Sequence, residues 1–469
     1  MKIIEGLCEF RGVERVHLMG IGGVGISALA LLLSDMRFKV DGCDLVQGGA
    51  ITKLEKSGIV CELGHGAGHI EKFLPQLLVY SSAIDPNHEE LAAARAKGIP
   101  TIGRGLALSR FFNAKHGVGV AGTHGKTTTS SMLGLILERG GFSPTLAIGA
   151  EVSDLALSAR LGSSDLFVAE IDESDGSFEF FKPALTIVTN VEWDHVNYFH
   201  TPDDVMAAFA RFAKARKPET PLVICAEDDG SRSLIDILRP DPYLVTCGWG
   251  RSFDWGAFDV TRKAGGGVFF SVARGKETLG RLELAVSGDH NIMNALVACA
   301  SGALLGVPFE SMAHTLRDFS GAKRRLEKIG EKKIGCGSID VIDDYGHHPT
   351  EIAVSLAAMR DIYPNRRLVV VFQPHRYTRT RAFFRQIASA LKGSDVVFLL
   401  PIYSAGEPSE GITSASISDI MNLDGHDAVL CDDQEDALTK LDSALRSGDV
   451  LMTLGAGNVT KLGKAYLRR

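Results

Sequence analysis

Short apolar runs recur along the chain, and most are followed by a turn and then by a stretch with helical spacing. The first part of the chain has such runs at 15–20, 39–43 and 77–80 and near Pro100, with a helical stretch over 27–33. Alternation of this kind predicts an α/β fold, in which a mainly parallel sheet carries helices on both faces.

The same pattern continues to the C-terminus and predicts three domains, spanning 1–110, 111–322 and 323–469. The runs predicted as strands in the last two lie at 117–121, 166–169, 185–189, 221–225, 243–247, 339–343, 368–372, 396–400 and 450–454. Helices are predicted over 126–139, closed by Gly140 and Gly141, and over 291–305. Residues 255–287 alternate in the manner of antiparallel strands.

Composition excludes several classes of protein. The chain has 469 residues, 23% charged and 45% hydrophobic, which argues against wholesale disorder. Its formal net charge of −7 argues against a protein that grips nucleic acid. The eight cysteines form no CxxC pair, which excludes a zinc ribbon and suits a reducing cytoplasm.

Two segments bear on membrane targeting. The N-terminal residues MKIIEGLCEFRGVER lack the apolar region of a signal peptide. Residues 16–34 are uncharged, as a membrane span would be, but the glycines among them favour a strand, a loop and a helix. We therefore expect a cytoplasmic protein with no membrane insertion.

The first chemical signal is a glycine loop. Gly20, Gly22 and Gly25 form GxGxxG after a predicted strand, and Asp44 follows about 20 residues later. This arrangement suits a diphosphate at a helix N-terminus, whether of NAD or of another ligand. A tight turn that lets the helix pack closely on the sheet is the alternative.

The strongest local signal is GTHGKT at 122–127, between a predicted strand and a predicted helix. The common phosphate-loop pattern would have glycine where Val120 stands, so this is a shorter GxxGKT variant. Backbone amides of such a loop cradle phosphates, Lys126 can reach the β- and γ-phosphates, and the Thr127 hydroxyl can bind Mg²⁺.

Acidic residues and a histidine follow two strands of the same unit. Glu170, Asp172, Glu173 and Asp175 come after one strand, and His195 comes after the next. Carboxyl ends of parallel strands line the ligand crevice of open sheets, so Glu170 and His195 could hold a divalent ion near the phosphate loop. A solvated acidic loop with a surface histidine is the alternative.

Basic and aromatic residues follow two strands of the third unit. DDYGHHP occupies 343–349, QPHRYTRTR occupies 373–381, and Arg324 and Arg325 open the unit. The guanidinium group binds carboxylates and phosphates through two parallel hydrogen bonds, so the arginines of these segments could bind either kind of anion. A solvated basic turn is the alternative.

Taken together, these segments resemble the Mur ligase family. The motifs HLMGIGGVGISALA, GTHGKTTT, EIDESDGSF, NVEWDH, GDHNIMNA, DDYGHHPTEI, FQPHRYTRTR and GAGN follow the family's order from residue 17 to about 460. The resemblance implies a Rossmann-like domain for a UDP-sugar, a central P-loop ATPase domain and a C-terminal Rossmann-like domain. DDYGHHPTEI and QPHRYTRTR are most similar to the member that uses ATP to join L-alanine to UDP-N-acetylmuramate through an acyl phosphate.

The resemblance also implies roles for individual residues. It places ATP on Gly122, Thr123, His124, Gly125, Lys126, Thr127, Thr128, Asn291, Asn294, Arg325 and Asp344. It places Mg²⁺, or Mn²⁺ in its stead, on Thr127, Glu170 and His195, and the catalytic charges on Lys126, Glu170, His195 and Arg325. The substrates are assigned to Gly22, Gly23, Gly25, Ser27, Asp44, Tyr345, His347, His375, Arg376 and Arg379.

This sequence departs from the family pattern in a few places. Trp193 and Asn197 flank His195 where relatives usually differ, and Gly103 stands where proline is common. Several family members use a carbamylated lysine shortly after the histidine, but Ala210 occupies that register here. Three alternatives stay open: a related ligase that recycles murein peptides, a nicotinamide-dependent oxidoreductase and a non-catalytic ATP-responsive binding protein.

Overall fold

The computed structural model describes residues 10–152, 157–174, 176–409 and 411–469. These residues form two compact units. The first comprises the described residues up to Val191 with Met206–Gly256 and Asn294–Thr315. The second comprises Glu192–Val205, Ala257–Met293 and Leu316–Arg469. Asp175, counted above among the acidic residues, lies outside the described residues.

The first sheet is a five-stranded parallel sheet with the order β3-β2-β1-β4-β5. Its strands are β1 (Arg15–Met19), β2 (Lys39–Asp44), β3 (Val60–Leu63), β4 (Leu77–Tyr80) and β5 (Thr101–Gly103). The helices of this segment are α1 (Val24–Asp35), α2 (Gly49–Lys56), α3 (Gly68–Phe73), α4 (Glu89–Ala96) and α5 (Arg104–Asn113). The uncharged stretch that could have been a membrane span is therefore a strand, a glycine loop and a helix.

The second sheet of the first unit carries the phosphate loop. Its strands are β6 (His116–Ala121), β7 (Thr145–Val152), β8 (Leu157–Arg160), β9 (Leu166–Glu170), β10 (Leu185–Val188), β11 (Leu222–Cys225) and β12 (Leu244–Trp249). Their order is β12-β11-β10-β6-β9-β7-β8, and only the β7–β8 pair among these strands is antiparallel. The accompanying helices are α6 (Lys126–Arg139), α7 (Pro202–Lys214) and α8 (Asp229–Leu238), with a 3₁₀ turn at Ser177–Phe180.

The next segment confirms the alternation seen in the sequence. Three adjacent strands, β13 (Trp255–Arg262), β14 (Val268–Arg274) and β15 (Glu277–Leu284), follow one another, and β14 pairs antiparallel with β15. The helices α9 (Asp289–Leu304) and α10 (Phe309–Arg317) come after them.

The C-terminal sheet has six strands in the order β16-β17-β21-β18-β19-β20. They are β16 (Glu327–Ile334), β17 (Gly337–Asp344), β18 (Leu368–Phe372), β19 (Val396–Leu399), β20 (Ala428–Leu430) and β21 (Val450–Leu454). The helices are α11 (Pro349–Ile362), α12 (Tyr377–Leu391), α13 (Ala415–Leu423), α14 (Gln434–Ala444) and α15 (Thr460–Arg468). Only β16, which forms a hairpin with β17, runs antiparallel in this sheet.

Strand β18 explains why this sheet is covered on both sides. Its five residues, LVVVF, are all buried. Leu368, Val370 and Phe372 belong to one hydrophobic cluster, and Val369 and Val371 belong to the other. Since successive side chains of a strand point to opposite faces, an uninterrupted apolar strand requires a core on each face.

The predicted α/β fold is confirmed. The structure also explains why the first compact unit includes residues of two predicted domains. Helix α1, which follows the glycine loop, packs against β7 of the phosphate-loop sheet. The predicted first domain and the core of the predicted second domain therefore belong to the same compact unit. The boundaries at 110 and 322 stay predictions.

Candidate functional site

The phosphate loop, residues 122–125, joins the end of β6 to the start of α6. Gly122 and Gly125 have φ angles of +137° and +78°, a region that favours glycine. A Cβ atom on Gly122 would lie 2.0 Å from the Thr189 hydroxyl oxygen. Both the backbone conformation and the available space therefore require glycine at this position.

The end of β10 fixes the middle of this loop. Asn190 accepts a hydrogen bond from the His124 amide at 2.8 Å, and its own side-chain amide donates to the His124 carbonyl at 2.9 Å. The Thr189 hydroxyl donates to the same carbonyl at 2.5 Å. Neither Thr189 nor Asn190 was predicted as a site residue from the sequence, although their position directly after a strand of the same sheet was a usable signal.

Lys126 lies in an acidic environment at the first turn of α6. Its ammonium group is 3.0 Å from a Glu173 carboxylate oxygen and donates to the carbonyls of Gly122 and Thr123 at 2.5 and 3.2 Å. Burial on its own would lower the pKa of Lys126, but the charges of Glu173, Asp172 and Glu170 outweigh burial and raise it. Lys126 therefore carries a positive charge at any physiological pH.

Two of the three predicted metal ligands are brought together here. The Thr127 hydroxyl donates to the Glu170 carboxylate at 2.9 Å, and the Gly149 amide donates to the same oxygen at 2.8 Å. A hydroxyl and a carboxylate are hard oxygen ligands, so this pair fits Mg²⁺ or Mn²⁺. The Gly149 amide orients the Glu170 carboxylate through Oε2, the same oxygen that accepts from Thr127.

The predicted nucleotide residue Asn294 contacts the same loop. Its side-chain oxygen accepts a hydrogen bond from the Thr129 hydroxyl at 3.2 Å, and a Cβ atom on Gly125 would lie 2.5 Å from it. Asn291 belongs to the second unit, where its amide donates to the Ser287 carbonyl at 2.7 Å. Thr128 is buried in the first turn of α6.

The other glycine loop connects β1 to α1. The amides of Gly20 and Ile21 donate to the Cys43 carbonyl at 2.8 and 3.0 Å, and the Gly22 amide donates to Asp44 at 2.9 Å. Asp44, predicted to contact a substrate, therefore also holds the loop in shape. The Ser27 hydroxyl donates to the Val24 carbonyl at 2.9 Å.

Two further glycines of this loop were predicted to contact the UDP-sugar. Gly23 is the N-cap residue of α1, with no side chain to cover the first amides of the helix. A Cβ atom on Gly25 would lie 2.8 Å from the Arg104 guanidinium. The loop thus leaves a bare helix N-terminus with a cation beside it, which suits a diphosphate.

His195 belongs to the second unit, where Asp194 holds it in an uncommon backbone conformation. Its φ angle is +51°, and its amide donates to the Asp194 carboxylate at 2.6 Å. Such strain persists only where surrounding contacts enforce it. The role of His195 as a metal ligand stays a prediction.

Asp194 in turn forms a buried ion pair with Arg379. The two bonds join Nε to Oδ1 at 2.8 Å and Nη2 to Oδ2 at 3.2 Å, and each side chain is 4% exposed. Burial alone would raise the pKa of Asp194, but Arg379, His195 and His347 lower it well below its usual range. Asp194 was not predicted as a site residue from the sequence, since no local signal pairs it with a residue 185 positions away.

This pairing bears on the role predicted for Arg379. Its remaining nitrogen, Nη1, lies 3.1 Å from Nδ1 of His375 and 3.3 Å from the His375 carbonyl. All three guanidinium nitrogens of Arg379 therefore have partners within the chain. Binding of a substrate carboxylate by Arg379 stays a prediction, and it would require this network to rearrange.

Arg376 is more accessible than Arg379. Its side chain is 33% exposed and contacts Glu407 at 3.1 Å, and its φ angle is +71°. Arg376 and Arg379 therefore differ in exposure and in partners, although they are three residues apart. Arg376 is thus the better placed of the two for a free substrate carboxylate.

The histidines and the tyrosine predicted to line the substrate site lie together. The rings of His347 and His375 are 5.8 Å apart, and Tyr345 lies 5.4 Å from His347. Burial, above all, lowers the pKa of His347 to about 3 and that of His375 to about 2. Both imidazoles are therefore neutral, which suits hydrogen bonding rather than attraction of an anion.

Arg325 and Asp344 also lie in this part of the second unit. The Arg325 guanidinium is 5.2 Å from the centre of the Tyr345 ring and 3.4 Å from Glu351. Asp344 accepts hydrogen bonds from the amides of Leu326 and Gly346, both at 2.8 Å. Burial raises the pKa of Asp344. Asp344 therefore holds the backbone at Leu326 and Gly346, and its position near the ribose stays a prediction.

The sequence also led us to expect no membrane insertion and cysteines suited to a reducing compartment. In the part of the chain that the structure describes, no helix combines the length and apolar character needed to cross a bilayer. The seven cysteines within the described residues are all free thiols.

Comparison with protein-family models identifies all three parts of the chain. The description "Mur ligase family, catalytic domain" matches residues 15–116. "Mur ligase middle domain" matches 120–302, and "Mur ligase, glutamate ligase domain" matches 324–457.

Sequence similarity to known proteins extends over nearly the whole chain. A UDP-N-acetylmuramate–L-alanine ligase of Desulfatibacillum aliphaticivorans is 39% identical over 460 residues, covering 98% of this chain and 99% of its own. A ligase of the same name from Desulforamulus reducens is also 39% identical, covering 97% and 98%.

Solved structures agree in fold. A crystal structure of the UDP-N-acetylmuramate–alanine ligase of Thermotoga maritima matches with a TM-score of 0.80 and 26% identity, covering 97% of this chain and 98% of that one. A murein peptide ligase of Psychrobacter arcticus matches with a TM-score of 0.73, but at 24% identity it supports the fold alone.

Proposed function

Because this chain belongs to the Mur ligase family, we propose that it joins L-alanine to the lactyl carboxylate of UDP-N-acetylmuramate in peptidoglycan precursor synthesis. ATP is cleaved to ADP and phosphate. The observation that carries the proposal is the phosphate loop, where Lys126 and the Thr127–Glu170 pair stand side by side at the start of α6. That geometry would serve phosphoryl transfer. The identity of 39% to two UDP-N-acetylmuramate–L-alanine ligases supports the choice of substrates.

The first chemical step follows from the low reactivity of a carboxylate. An oxygen of the lactyl carboxylate attacks the γ-phosphorus of ATP, the bond to the β,γ-bridging oxygen breaks, and ADP leaves. This in-line transfer needs positioning and charge neutralisation rather than covalent help from the protein. Lys126 and Arg325 would supply positive charge to the transferred group. Mg²⁺, held by Thr127, Glu170 and His195, would neutralise phosphate charge.

The second step consumes the acyl phosphate. The amine of alanine attacks the acyl carbon, the carbon–oxygen bond to phosphate breaks, and the amine proton passes to solvent or to the departing phosphate. Arg376 and Arg379 would orient the alanine carboxylate, with Tyr345, His347 and His375 around the lactyl group. Since an acyl phosphate hydrolyses readily, the reaction requires water to be excluded while the intermediate lasts.

The glycine loop near the N-terminus would bind the UDP part of the substrate. Gly22, Gly23 and Gly25 would line this site at the start of α1, where the amides of Gly22 and Gly23 already donate to Asp44 and to the Gly20 carbonyl. Ser27 lies in the first turn of α1, and Asp44 holds the loop from β2. A nucleotide sugar and ATP are both cytoplasmic metabolites, so we place the reaction in the cytoplasm.

The test is a direct assay of the full chain. The protein is incubated with ATP, Mg²⁺, UDP-N-acetylmuramate and each amino acid in turn, and phosphate release and product mass are measured. Phosphate release dependent on the sugar nucleotide and on alanine, with product heavier by one alanyl residue, is expected. Excess chelator should abolish turnover. A product formed only with a murein peptide would instead identify the recycling reaction.

A further inference from the structure

A second cluster of metal-binding side chains lies in the N-terminal sheet, on residues to which the proposed ligase reaction assigns no role. His17 on β1, Cys43 on β2, His69 in α3 and Glu90 in α4 each offer one donor atom, and all four atoms lie within 4.8 Å of one another. His17, Cys43 and Glu90 are fully buried. We call these four residues the His-Cys-His-Glu cluster.

The distances from the Cys43 sulfur within this cluster match those of a small tetrahedral metal site, and the two distances from Glu90 Oε1 to the histidine nitrogens are shorter. The Cys43 sulfur is 3.5 Å from His17 Nε2 and 3.5 Å from Glu90 Oε1, and Glu90 Oε1 is 3.1 Å from His69 Nδ1. Ligands at zinc bond lengths in a tetrahedron are about 3.3–3.8 Å apart. His17 Nε2 and Glu90 Oε1 are 2.7 Å apart, so a small outward shift would admit the ion.

The groups behind the donors are those that orient metal ligands. His17 directs Nε2 into the cluster, while its Nδ1 is 2.5 Å from an Asp41 carboxylate oxygen. Glu90 directs Oε1 into the cluster, while its Oε2 accepts the Gly66 amide at 2.8 Å. A carboxylate that accepts the second N–H of a histidine ligand is common behind metal sites, because the carboxylate fixes the histidine ring and raises its basicity.

Apolar surroundings complete the arrangement. Met19, Ile70, Leu78, Leu91 and Ala94 form a core cluster with Cys43 beneath α3 and α4. Buried donors in such a setting are costly unless charges are balanced. A divalent cation, one thiolate, one carboxylate and two neutral imidazoles sum to zero for the donor set, and the Asp41 carboxylate behind His17 adds one negative charge.

We infer that the His-Cys-His-Glu cluster is a binding site for a single zinc ion, independent of the predicted Mg²⁺ site. Two imidazole nitrogens, a thiolate and a carboxylate form a donor set that suits Zn²⁺ and not Mg²⁺. On coordination, the thiol proton of Cys43 and the proton between His17 Nε2 and Glu90 pass to solvent, and the proton between His17 Nδ1 and Asp41 stays in place. Bonds from nitrogen, sulfur and oxygen to zinc form.

The ion would join four elements below the glycine loop. Cys43 and the loop are directly linked, because the Cys43 carbonyl accepts the amides of Gly20 and Ile21. Asp44, the next residue, accepts the Gly22 amide. Zinc would thereby stabilise β1, β2, α3 and α4 and hold the base of the loop.

The test uses the full chain with any affinity tag removed. Metal-stripped protein is mixed with equimolar Zn²⁺, freed of unbound ion and analysed by mass spectrometry of the metal. About one zinc per chain is expected for the parent protein and for Cys61→Ser, a control on the neighbouring strand β3. Cys43→Ser should retain far less zinc.

Cobalt supplies a second readout that identifies the sulfur ligand. The parent protein and Cys61→Ser loaded with Co²⁺ should show a thiolate-to-cobalt charge-transfer band, and Cys43→Ser should not. His69→Ala removes a partly exposed ligand, so it should fold and bind zinc at least ~10-fold more weakly. This variant keeps the test valid if Cys43→Ser unfolds.

Two results would overturn the inference. One is parent protein that retains no zinc and shows no charge-transfer band, which would leave the cluster as a network of hydrogen bonds among protonated groups. The other is zinc retention that is unchanged in Cys43→Ser and His69→Ala, which would place the ion elsewhere in the chain.

Discussion

Single charged residues have sharply different settings in this protein, although the sequence presents them as similar. Arg379 is a buried cation and Lys126 is a partly buried one, and the main partners of both are carboxylates, whereas Arg376 is more exposed than either. Removing a buried partner of an ion pair costs far more than removing an exposed one. We therefore predict effects on activity for Lys126 and Arg376 and an effect on stability for the buried partner of Arg379.

Lys126→Ala should lower phosphate release by about 10²–10³-fold, because one electrostatic contact to a transition state is worth about 3–4 kcal/mol. Turnover is measured at saturating substrates, and a melting curve verifies the fold. Lys72→Ala, which removes an exposed ion pair with Glu62, is the control and should keep full activity. More than half of parental turnover in Lys126→Ala would contradict the phosphate-loop assignment.

Arg376→Lys should raise the KM for L-alanine at least ~10-fold, about 1.4 kcal/mol, and leave the KM for ATP nearly unchanged. Lysine keeps the charge but cannot form two parallel hydrogen bonds to a carboxylate. Initial rates against alanine concentration provide the measurement, with the exposed Arg385→Lys on α12 as the control. A selective rise in the KM for ATP would assign this arginine to the nucleotide.

Asp194→Asn should lower the free energy of unfolding by about 3–5 kcal/mol at neutral pH, because Arg379 would lose its buried counter-charge. Urea unfolding measures this loss. Asp424→Asn, which removes an exposed pair with Lys392, should change it by less than about 1 kcal/mol.

The same pair predicts a pH dependence of definite sign. The pKa of Asp194 is lowered on folding, so its contribution is present above the unfolded pKa near ~3.9 and is lost as pH falls from there. The stability difference between the parent protein and Asp194→Asn should therefore shrink below about pH 4. An undiminished difference in acid would mean that the charge of Asp194 does not stabilise the fold.

At the scale of elements, the start of α6 depends on its neighbours as much as on its own sequence. The loop before it is bound by Thr189 and Asn190 after β10, and the helix itself carries Thr127 to Glu170 at the end of β9. Three strands of one sheet thus define a single predicted phosphate-binding element.

Gly122→Ala should weaken ATP binding at least ~10-fold, because the new methyl group meets Thr189 and the φ angle of +137° is unfavourable for alanine. Calorimetric titration with ATP measures the affinity. Gly141→Ala also has a positive φ, +82°, but meets nothing within 4 Å, so it isolates backbone strain from the clash. Equal ATP affinity in the two variants would show that the contact with Thr189 is unimportant.

At the scale of the whole molecule, both glycine loops belong to the first compact unit, and the arginine loop after β18 belongs to the second. A ligand stabilises the part of a protein that binds it, by about 2.7 kcal/mol at one hundred times its dissociation constant. We therefore expect ATP and UDP-N-acetylmuramate to stabilise the same unfolding transition.

Differential scanning calorimetry with each ligand alone tests this expectation. The transition assigned to the first unit should move to higher temperature with either nucleotide and not with alanine. It should move further than the transition of the second unit, which holds Arg325 and Asp344. Tryptophan fluorescence helps the assignment, since Trp249 lies in the first unit and Trp193 in the second. Nucleotide that shifts both transitions equally would show that the units do not unfold separately.

The order of strands and helices could be read from the sequence, because an apolar run bounded by turns specifies its own local structure. The strands at 77–80, 368–372 and 450–454 and the helix at 126–139 were predicted to the residue. Short or polar strands were not: β16, EKIGEKKI, has only partly buried or exposed residues and is defined by its antiparallel pairing with β17.

The candidate site divides in the same way. The sequence by itself determined which loops carry glycines, carboxylates and guanidinium groups, because these loops follow apolar strands and contain residues that folding alone does not require. Only the tertiary structure decided that Asp194 meets Arg379, that Thr189 and Asn190 fix the phosphate loop, and that His17, Cys43, His69 and Glu90 converge. Such contacts join residues far apart in the chain, and their energies depend on burial and distance, which a one-dimensional pattern does not contain.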